Sequence, residues 1–174
     1  MTGIGVRILT PEDDRTSFVS GDEDLDRFFR KFAGQSQFTH HLGATYIATD
    51  GEAICGFVTA SASSIEVADL PRRISRRLPR YPLPVLRIAR LATSGELRGR
   101  GIGGLLVKCA LELACGMSEE VGCIGVVVDA KEQASAFYER YGFEAIDVLE
   151  GGSNARPMPR PMFLPIGSIP RSSD

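Results

Sequence analysis

Residues 87–106 read RIARLATSGELRGRGIGGLL, and the fold turns on how this stretch is understood. An extended run ending at Thr93 passes through Ser94 to Arg98 into a turn where Gly99, Gly101, Gly103 and Gly104 crowd together, and the turn opens a helix. Glycines remove side chains so that successive backbone N–H groups converge, and a helix start adds partial positive charge. The segment is therefore built to hold a phosphate group, with Arg98 and Arg100 adding formal charge. A merely flexible connection is the plainer alternative, but so many glycines at a helix start would cost stability for no gain. Gly99, Gly101 and Gly104 also satisfy GxGxxG, the dinucleotide fingerprint. Its context fits poorly, because in that fold the turn closely follows an apolar first strand. Here Ser94 to Arg98 intervene and the strand carries Arg87 and Arg90.

Downstream, Leu105, Leu106, Cys109, Leu111 and Leu113 predict a helix from Gly103 to about Met117. Ile124 to Val128 reads as a buried strand. Lys131 to Tyr141 reads as a helix carrying Ala134, Phe137, Tyr138 and Tyr141, closed by Gly142. Phe143 to Leu149 and Met162 to Ile166 read as strands on either side of a Gly/Pro/Arg-rich loop. Upstream, Val6 to Leu9 is a short strand, and Pro11 with the acids after it predicts a turn and a helix. Leu25, Phe28, Phe29 and Phe32 recur at helical spacing, with Asp22 or Asp24 as cap and Gly34 as stop. Ala44 to Thr49 and Ala53 to Ala60 flank Asp50-Gly51 as a hairpin. Pro71 to Leu78 reads as a short arginine-studded helix, and prolines 79, 82 and 84 lead into a strand over Val85 to Thr93. The order predicts a mixed α/β (α+β) protein, antiparallel in its first half.

At 174 residues the chain accommodates one domain, 1–174, with 167–174 as a flexible tail. Hydrophobic residues at 43% and charged ones at 24% exclude a disordered or fibrous chain. The net charge of −2 argues against a general nucleic-acid coat protein. That average hides an asymmetry. Nine arginines (72, 73, 76, 77, 80, 87, 90, 98 and 100) stand against Glu96 alone between Pro71 and Arg100, whereas Glu12 to Asp26 holds seven acids and one arginine. One face can thus meet a polyanion while the protein stays soluble; a solvated face balanced by the acidic segment is the plainer alternative. Cys55, Cys109, Cys115 and Cys123 lie in apolar runs without metal-ligand spacing, so free buried thiols and no metal are expected. The N-terminal residues carry no signal-peptide pattern, and no run reaches the ~18 apolar residues of a membrane span. A cytoplasmic protein without membrane contact is expected.

The pattern Arg98-x-x-Gly101-x-Gly103 after a strand resembles the acetyl-coenzyme A signature of the GNAT superfamily of N-acetyltransferases. Asp129-Ala130-Lys131 and Ala136-Phe137-Tyr138-Glu139-Arg140-Tyr141-Gly142-Phe143 resemble that superfamily's last motif. The resemblance implies a central, mixed and mostly antiparallel sheet flanked by helices. It also implies acetyl-coenzyme A as cosubstrate, its pyrophosphate on the amides of Arg98, Gly99, Arg100, Gly101, Ile102, Gly103 and Gly104. The backbone of Leu91, Ala92 and Thr93 would take the pantetheine arm. A narrower resemblance, carried by Phe18-Val19-Ser20-Gly21, Leu25-Asp26-Arg27-Phe28-Phe29, Ala44-Thr45-Tyr46-Ile47-Ala48, Arg90-Leu91-Ala92 and Met162-Phe163-Leu164-Pro165, is to the GNAT toxins of bacterial toxin–antitoxin pairs. It implies acetylation of the α-amino group of aminoacyl-tRNA, arrest of translation, and neutralisation by a ribbon-helix-helix antitoxin; a homodimer is compatible with it.

Acyl transfer from a thioester to an amine needs a neutral amine and a proton for the departing thiolate. Tyr138 is the candidate catalytic acid, since a phenol with an ordinary pKa near 10 keeps its proton at neutral pH. Its competing role is core packing on the stripe of Ala134, Phe137 and Tyr141, of which Tyr141 is the expected packing residue. No general base stands out, and His40 and His41 are poorly placed for the task. An α-amine with a pKa near 8 needs little help in losing its proton. Arg72, Arg73, Arg76, Arg77 and Arg80, with Arg87 and Arg90, are the expected tRNA surface; docking an acidic antitoxin tail is a second use of the same charge. Acetylation of a small-molecule or protein amine, and a non-catalytic binding module, are the alternative functions.

Overall fold

The two β-rich runs around Asp50-Gly51 form the expected hairpin. Asp50 accepts hydrogen bonds from the Glu52 and Ala53 N–H groups at 2.9 Å, and Gly51 supplies the positive φ of +99°. The computed structural model describes residues 3–146 and 160–170. Its strands are β1 (Gly5–Ile8), β2 (Ala44–Thr49), β3 (Ile54–Ile65), β4 (Leu83–Thr93), β5 (Gly125–Ala130), β6 (Glu144–Ala145) and β7 (Arg160–Pro165). They are ordered β1-β2-β3-β4-β5-β7-β6 in one mostly antiparallel sheet. The helices are α1 (Glu23–Arg27), α2 (Arg72–Ser75), α3 (Ile102–Glu120) and α4 (Ser135–Glu139). The chain divides into two compact units: Met1–Ser61 with Ile88–Glu112, and Ala62–Arg87 with Leu113–Asp174. The long strands β3 and β4 contribute to both.

In the first unit the core gathers Leu9, Phe18, Phe28, Phe29, Ala33, Ile47, Phe57 and Ala92. Phe29 stacks face to face on Phe57 with centroids 4.3 Å apart, and Phe18 meets both rings edge-on. On β3 the neighbouring residues Gly56 and Phe57 point to opposite faces of the sheet. Phe57 receives the phenylalanines that follow α1. Gly56 receives α3, whose Leu106 and Ile102 methyl groups would lie 3.0 and 3.1 Å from a Cβ there. Helices therefore cover both faces of this part of the sheet.

Three expectations for this unit change. No helix forms after Pro11, because the acids there bind locally: Asp13 accepts from the Thr10 N–H at 2.7 Å and pairs with Arg7, while Asp14 accepts from the Thr16 N–H. Helix α1 starts at Glu23 on the Asp22 cap as expected, then widens into π-helical turns over Phe28–Phe32 and Gln35–Thr39. Gly34 does not stop it. A Cβ at Gly34 would lie 2.7 Å from a terminal nitrogen of Arg15, whose guanidinium caps the Phe29 carbonyl at 2.7 Å, so this glycine makes room for an arginine.

The second unit packs Ile65, Leu70, Leu83, Val85, Val127, Ile146 and Phe163. Helix α2 is shorter than the expected Pro71 to Leu78 stretch, but Ile74 and Leu78 pack against that core while the arginines around them stay outside. Lys131 to Tyr141 folds as a 3-10 turn, Glu132–Ala134, followed by α4, and Gly142 closes it at a φ of +93°. Of the strand expected over Phe143 to Leu149, β6 accounts for Glu144–Ala145; positions 147–149 and the 151–157 loop lie outside the described residues. Residues 167–169, expected in a flexible tail, continue a 3-10 turn at Ile166–Ser168, and Ile169 is buried. The four cysteines are free, Cys55 and Cys123 buried and the other two half-buried. Among the described residues no helix is long and apolar enough to cross a membrane, and no cluster of acids, histidines or cysteines suits a metal ion.

Candidate functional site

Strand β4 carries Leu91, Ala92 and Thr93 to the glycine turn, and two hydrogen bonds pin the junction. The Ser94 N–H donates to the Cys55 carbonyl at 2.8 Å, and the Gly95 N–H to the Val19 carbonyl at 3.0 Å. After the 3-10 turn Gly95–Leu97, Gly99 and Gly101 adopt φ values of +81° and +79°, where any L side chain is strained. No atom lies within 4 Å of a Cβ built at either position, so the turn presents bare backbone to open space. Ile102 then anchors α3 in the core, and the Leu105 N–H donates to the Gly101 carbonyl at 3.2 Å. Helical geometry leaves the N–H groups of Ile102, Gly103 and Gly104 without an intrahelical acceptor. The first turn of α3 holds no acidic residue. Free amides, a helix start and no carboxylate are what a pyrophosphate requires, so these residues fit the phosphates of acetyl-coenzyme A.

Arg98 is used in a way the sequence did not indicate: its guanidinium donates to the Ser20 carbonyl at 2.5 Å. Ser20 is in turn held by the buried carboxylate of Asp26. The acidic run around Asp26 concealed this partner, because an acid in a charged stretch reads as solvated. Arg100 is exposed beside the turn.

Tyr138 belongs to the second unit, on α4. It is 5% exposed, and its ring meets those of Phe137 and Phe143 edge-on at 5.0 and 5.5 Å. Burial pushes its phenol well above its ordinary pKa, because the charged phenolate is the form that loses hydration. Its proton is therefore firmly held at neutral pH. Tyr141, expected to be the packing residue, meets the Phe137 ring edge-on at 5.3 Å but lies past the end of α4 at Glu139 and is the more exposed of the two at 36%. His40 and His41 are both exposed.

Arg72, Arg73, Arg76, Arg77 and Arg80 are all exposed in and just after α2, with Arg73 paired to Glu144. The structure therefore brings these five into one neighbourhood. Arg87 is engaged by Asp129 at 2.7 Å, a partner on β5 that sequence spacing cannot reveal. Arg90 lies in the first unit, its guanidinium 3.7 Å above the centre of the Phe28 ring, and loss of hydration lowers its pKa.

A strand leads into a glycine turn that opens a long helix, and a second strand–helix–glycine unit carries Phe-Tyr; the chain belongs to the acetyltransferase (GNAT) domain family, whose model matches residues 41–145. It is 33% identical to the probable toxin TacT of Sinorhizobium fredii over 97% of this chain and 96% of that one. It is 32% identical to a tRNA-acetylating toxin of Mycobacterium tuberculosis over 79% of this chain and 82% of the other. Among solved structures, AtaT complexed with acetyl-methionyl-tRNAfMet superposes with a TM-score of 0.83 at 26% identity, covering 95% of this chain and 96% of that one. An AtaT mutant bound to acetyl-CoA and the C-terminus of the antitoxin AtaR superposes with a TM-score of 0.74 at 25% identity, covering 95% of each chain.

Proposed function

We propose that this chain is a toxin that transfers the acetyl group of acetyl-coenzyme A to the α-amino group of aminoacyl-tRNA, blocking translation in the cytoplasm. A cognate antitoxin of the ribbon-helix-helix type neutralises it, and 1–174 acts as a single catalytic domain, as a monomer or a homodimer. The observation that carries this reading is similarity over 79% of this chain to a relative named as a tRNA-acetylating toxin, together with similarity over 97% of it to a probable toxin.

Acetyl-coenzyme A supplies an activated thioester. In this reading the amides of Arg98 to Gly104 hold its pyrophosphate, and the backbone of Leu91, Ala92 and Thr93 aligns its arm along β4. The acceptor nitrogen, neutral once it has released its proton to water, bonds to the acetyl carbon as the carbon–sulfur bond breaks, and it then gives up a second proton to water to leave the amide. Tyr138 delivers its phenolic proton to the departing sulfur and recovers one from solvent; desolvation keeps that proton on the oxygen until the sulfur takes on charge. No strong base is needed for an α-amine whose pKa lies near 8. Arg72, Arg76, Arg77 and Arg80 grip the tRNA backbone, with Arg73, Arg87 and Arg90 contributing where their present partners release them.

The test is a cell-free translation reaction given purified protein with and without acetyl-coenzyme A. Arrest that requires acetyl-coenzyme A supports the reading. Unimpaired translation, together with turnover of polyamines or peptides, would transfer the assignment to a small-molecule or protein amine.

A further inference from the structure

The glycine turn is tied to a buried carboxylate that no part of the proposed chemistry uses. Asp26, on α1, is 5% exposed. One of its oxygens accepts from the Ser20 hydroxyl at 2.6 Å and the Ser20 N–H at 3.0 Å, and the other lies 3.1 Å from the same N–H and 3.4 Å from the Gly21 N–H. Arg30 balances the charge at 3.6 Å and also donates to the Phe18 carbonyl at 2.8 Å. Ser20, fixed at its amide and hydroxyl, turns its carbonyl to the Arg98 guanidinium. The Val19 carbonyl, one residue earlier, receives the Gly95 N–H. Residues 19 and 20 thus hold both ends of the 95–98 segment that leads into the bare amides of Gly99 to Gly104. Gly21 completes the contact: its φ is +102°, and a Cβ there would lie 3.0 Å from a terminal nitrogen of Arg98.

We propose that Asp26 is a positioning residue for the acetyl-coenzyme A loop, acting through Ser20 on Arg98, and that the Arg98 guanidinium is a tether of this loop and not a phosphate ligand. The inference rests on the assignment of residues 98–104 to the cosubstrate. The physical logic is preorganisation: amides held in place before binding lose less freedom on binding. Asp26 is suited to the task because its charge is buried, countered by Arg30 and spent on several donors that converge on one backbone segment.

Two measurements separate this inference from the assignment beneath it. Hydrogen exchange of residues 95–104 in the free protein reads the tether without any ligand, and calorimetric titration with coenzyme A reads the cradle. Asp26→Asn and the milder Ser20→Ala, which removes one hydrogen bond and keeps the carboxylate, are compared with Asp24→Asn, an exposed acid of the same helix. The tether predicts faster exchange in the loop and a coenzyme A dissociation constant raised roughly tenfold for Asp26→Asn, and several-fold for Ser20→Ala. It also predicts a raised KM for acetyl-coenzyme A with the KM for the acceptor unchanged, and wild-type behaviour for Asp24→Asn. If Asp26→Asn fails to fold, Ser20→Ala decides. Unchanged loop exchange in a folded variant overturns the tether. Failure of the wild-type protein to bind coenzyme A overturns the assignment of the loop, whatever the exchange shows.

Discussion

Gly56 of strand β3 lies against both strand β4 and helix α3: a Cβ there would lie 2.9 Å from the Ala92 carbonyl oxygen and 3.0 Å from a Leu106 methyl. A backbone oxygen cannot swing aside as a side-chain end can. Gly56→Ala should therefore lower stability by roughly 1–3 kcal/mol in chemical denaturation and displace the start of α3, raising the KM for acetyl-coenzyme A. The raised pKa of Tyr138 likewise makes a statement about pH. The acceptor amine gains reactivity as it loses its proton near pH 8, and the acid keeps its own well beyond that point. The rate of acetyl transfer should rise to a plateau and show no fall through about pH 9.5. A descending limb centred below about pH 9 would show that a group other than Tyr138 supplies the proton.

The element that holds the first unit together is the stretch following α1, where Phe28 and Phe29 close on Phe57 of β3. Phe57→Ala removes a fully buried ring from a stack of three aromatic partners and should cost about 3–5 kcal/mol, read as a shift in the denaturant midpoint. The spacing of these phenylalanines was legible in the sequence because both α and π turns return a side chain to the same face within about one turn. The widening into π turns was not, and the Arg15 guanidinium that caps the Phe29 carbonyl there comes from fourteen residues earlier in the chain. Helix α3 and the hairpin were legible because their signals are local: a 3.6-residue stripe, and an Asp-Gly pair. The helix expected after Pro11 failed for the opposite reason, because Asp13 and Asp14 satisfy nearby donors and so compete with helical hydrogen bonds.

Across the protein as a whole, the charge separation along the chain is the property that bears on substrate. The arginine-rich stretch was plain in the sequence, but which arginines are already committed was not. Arg87 is engaged by Asp129, Arg73 by Glu144 and Arg98 by the Ser20 carbonyl, each through residues distant in sequence. Arg76 and Arg77 remain exposed, and the double change Arg76→Glu, Arg77→Glu should weaken acetylation of aminoacyl-tRNA and flatten its salt dependence by about 0.7–0.9 in the log–log slope for each phosphate that is no longer neutralised. Coenzyme A affinity should stay as it is. An unchanged salt slope would place the tRNA elsewhere. The measurement closest to the central claim is transfer of labelled acetyl from acetyl-coenzyme A to a charged total-tRNA pool, with the label mapped after nuclease digestion, for wild type and Tyr138→Phe. Label on the α-amine of the aminoacyl group is expected, with a rate lowered about 100-fold or more in the variant and coenzyme A binding retained. Label absent from the aminoacyl group, from a protein that binds coenzyme A, would contradict it.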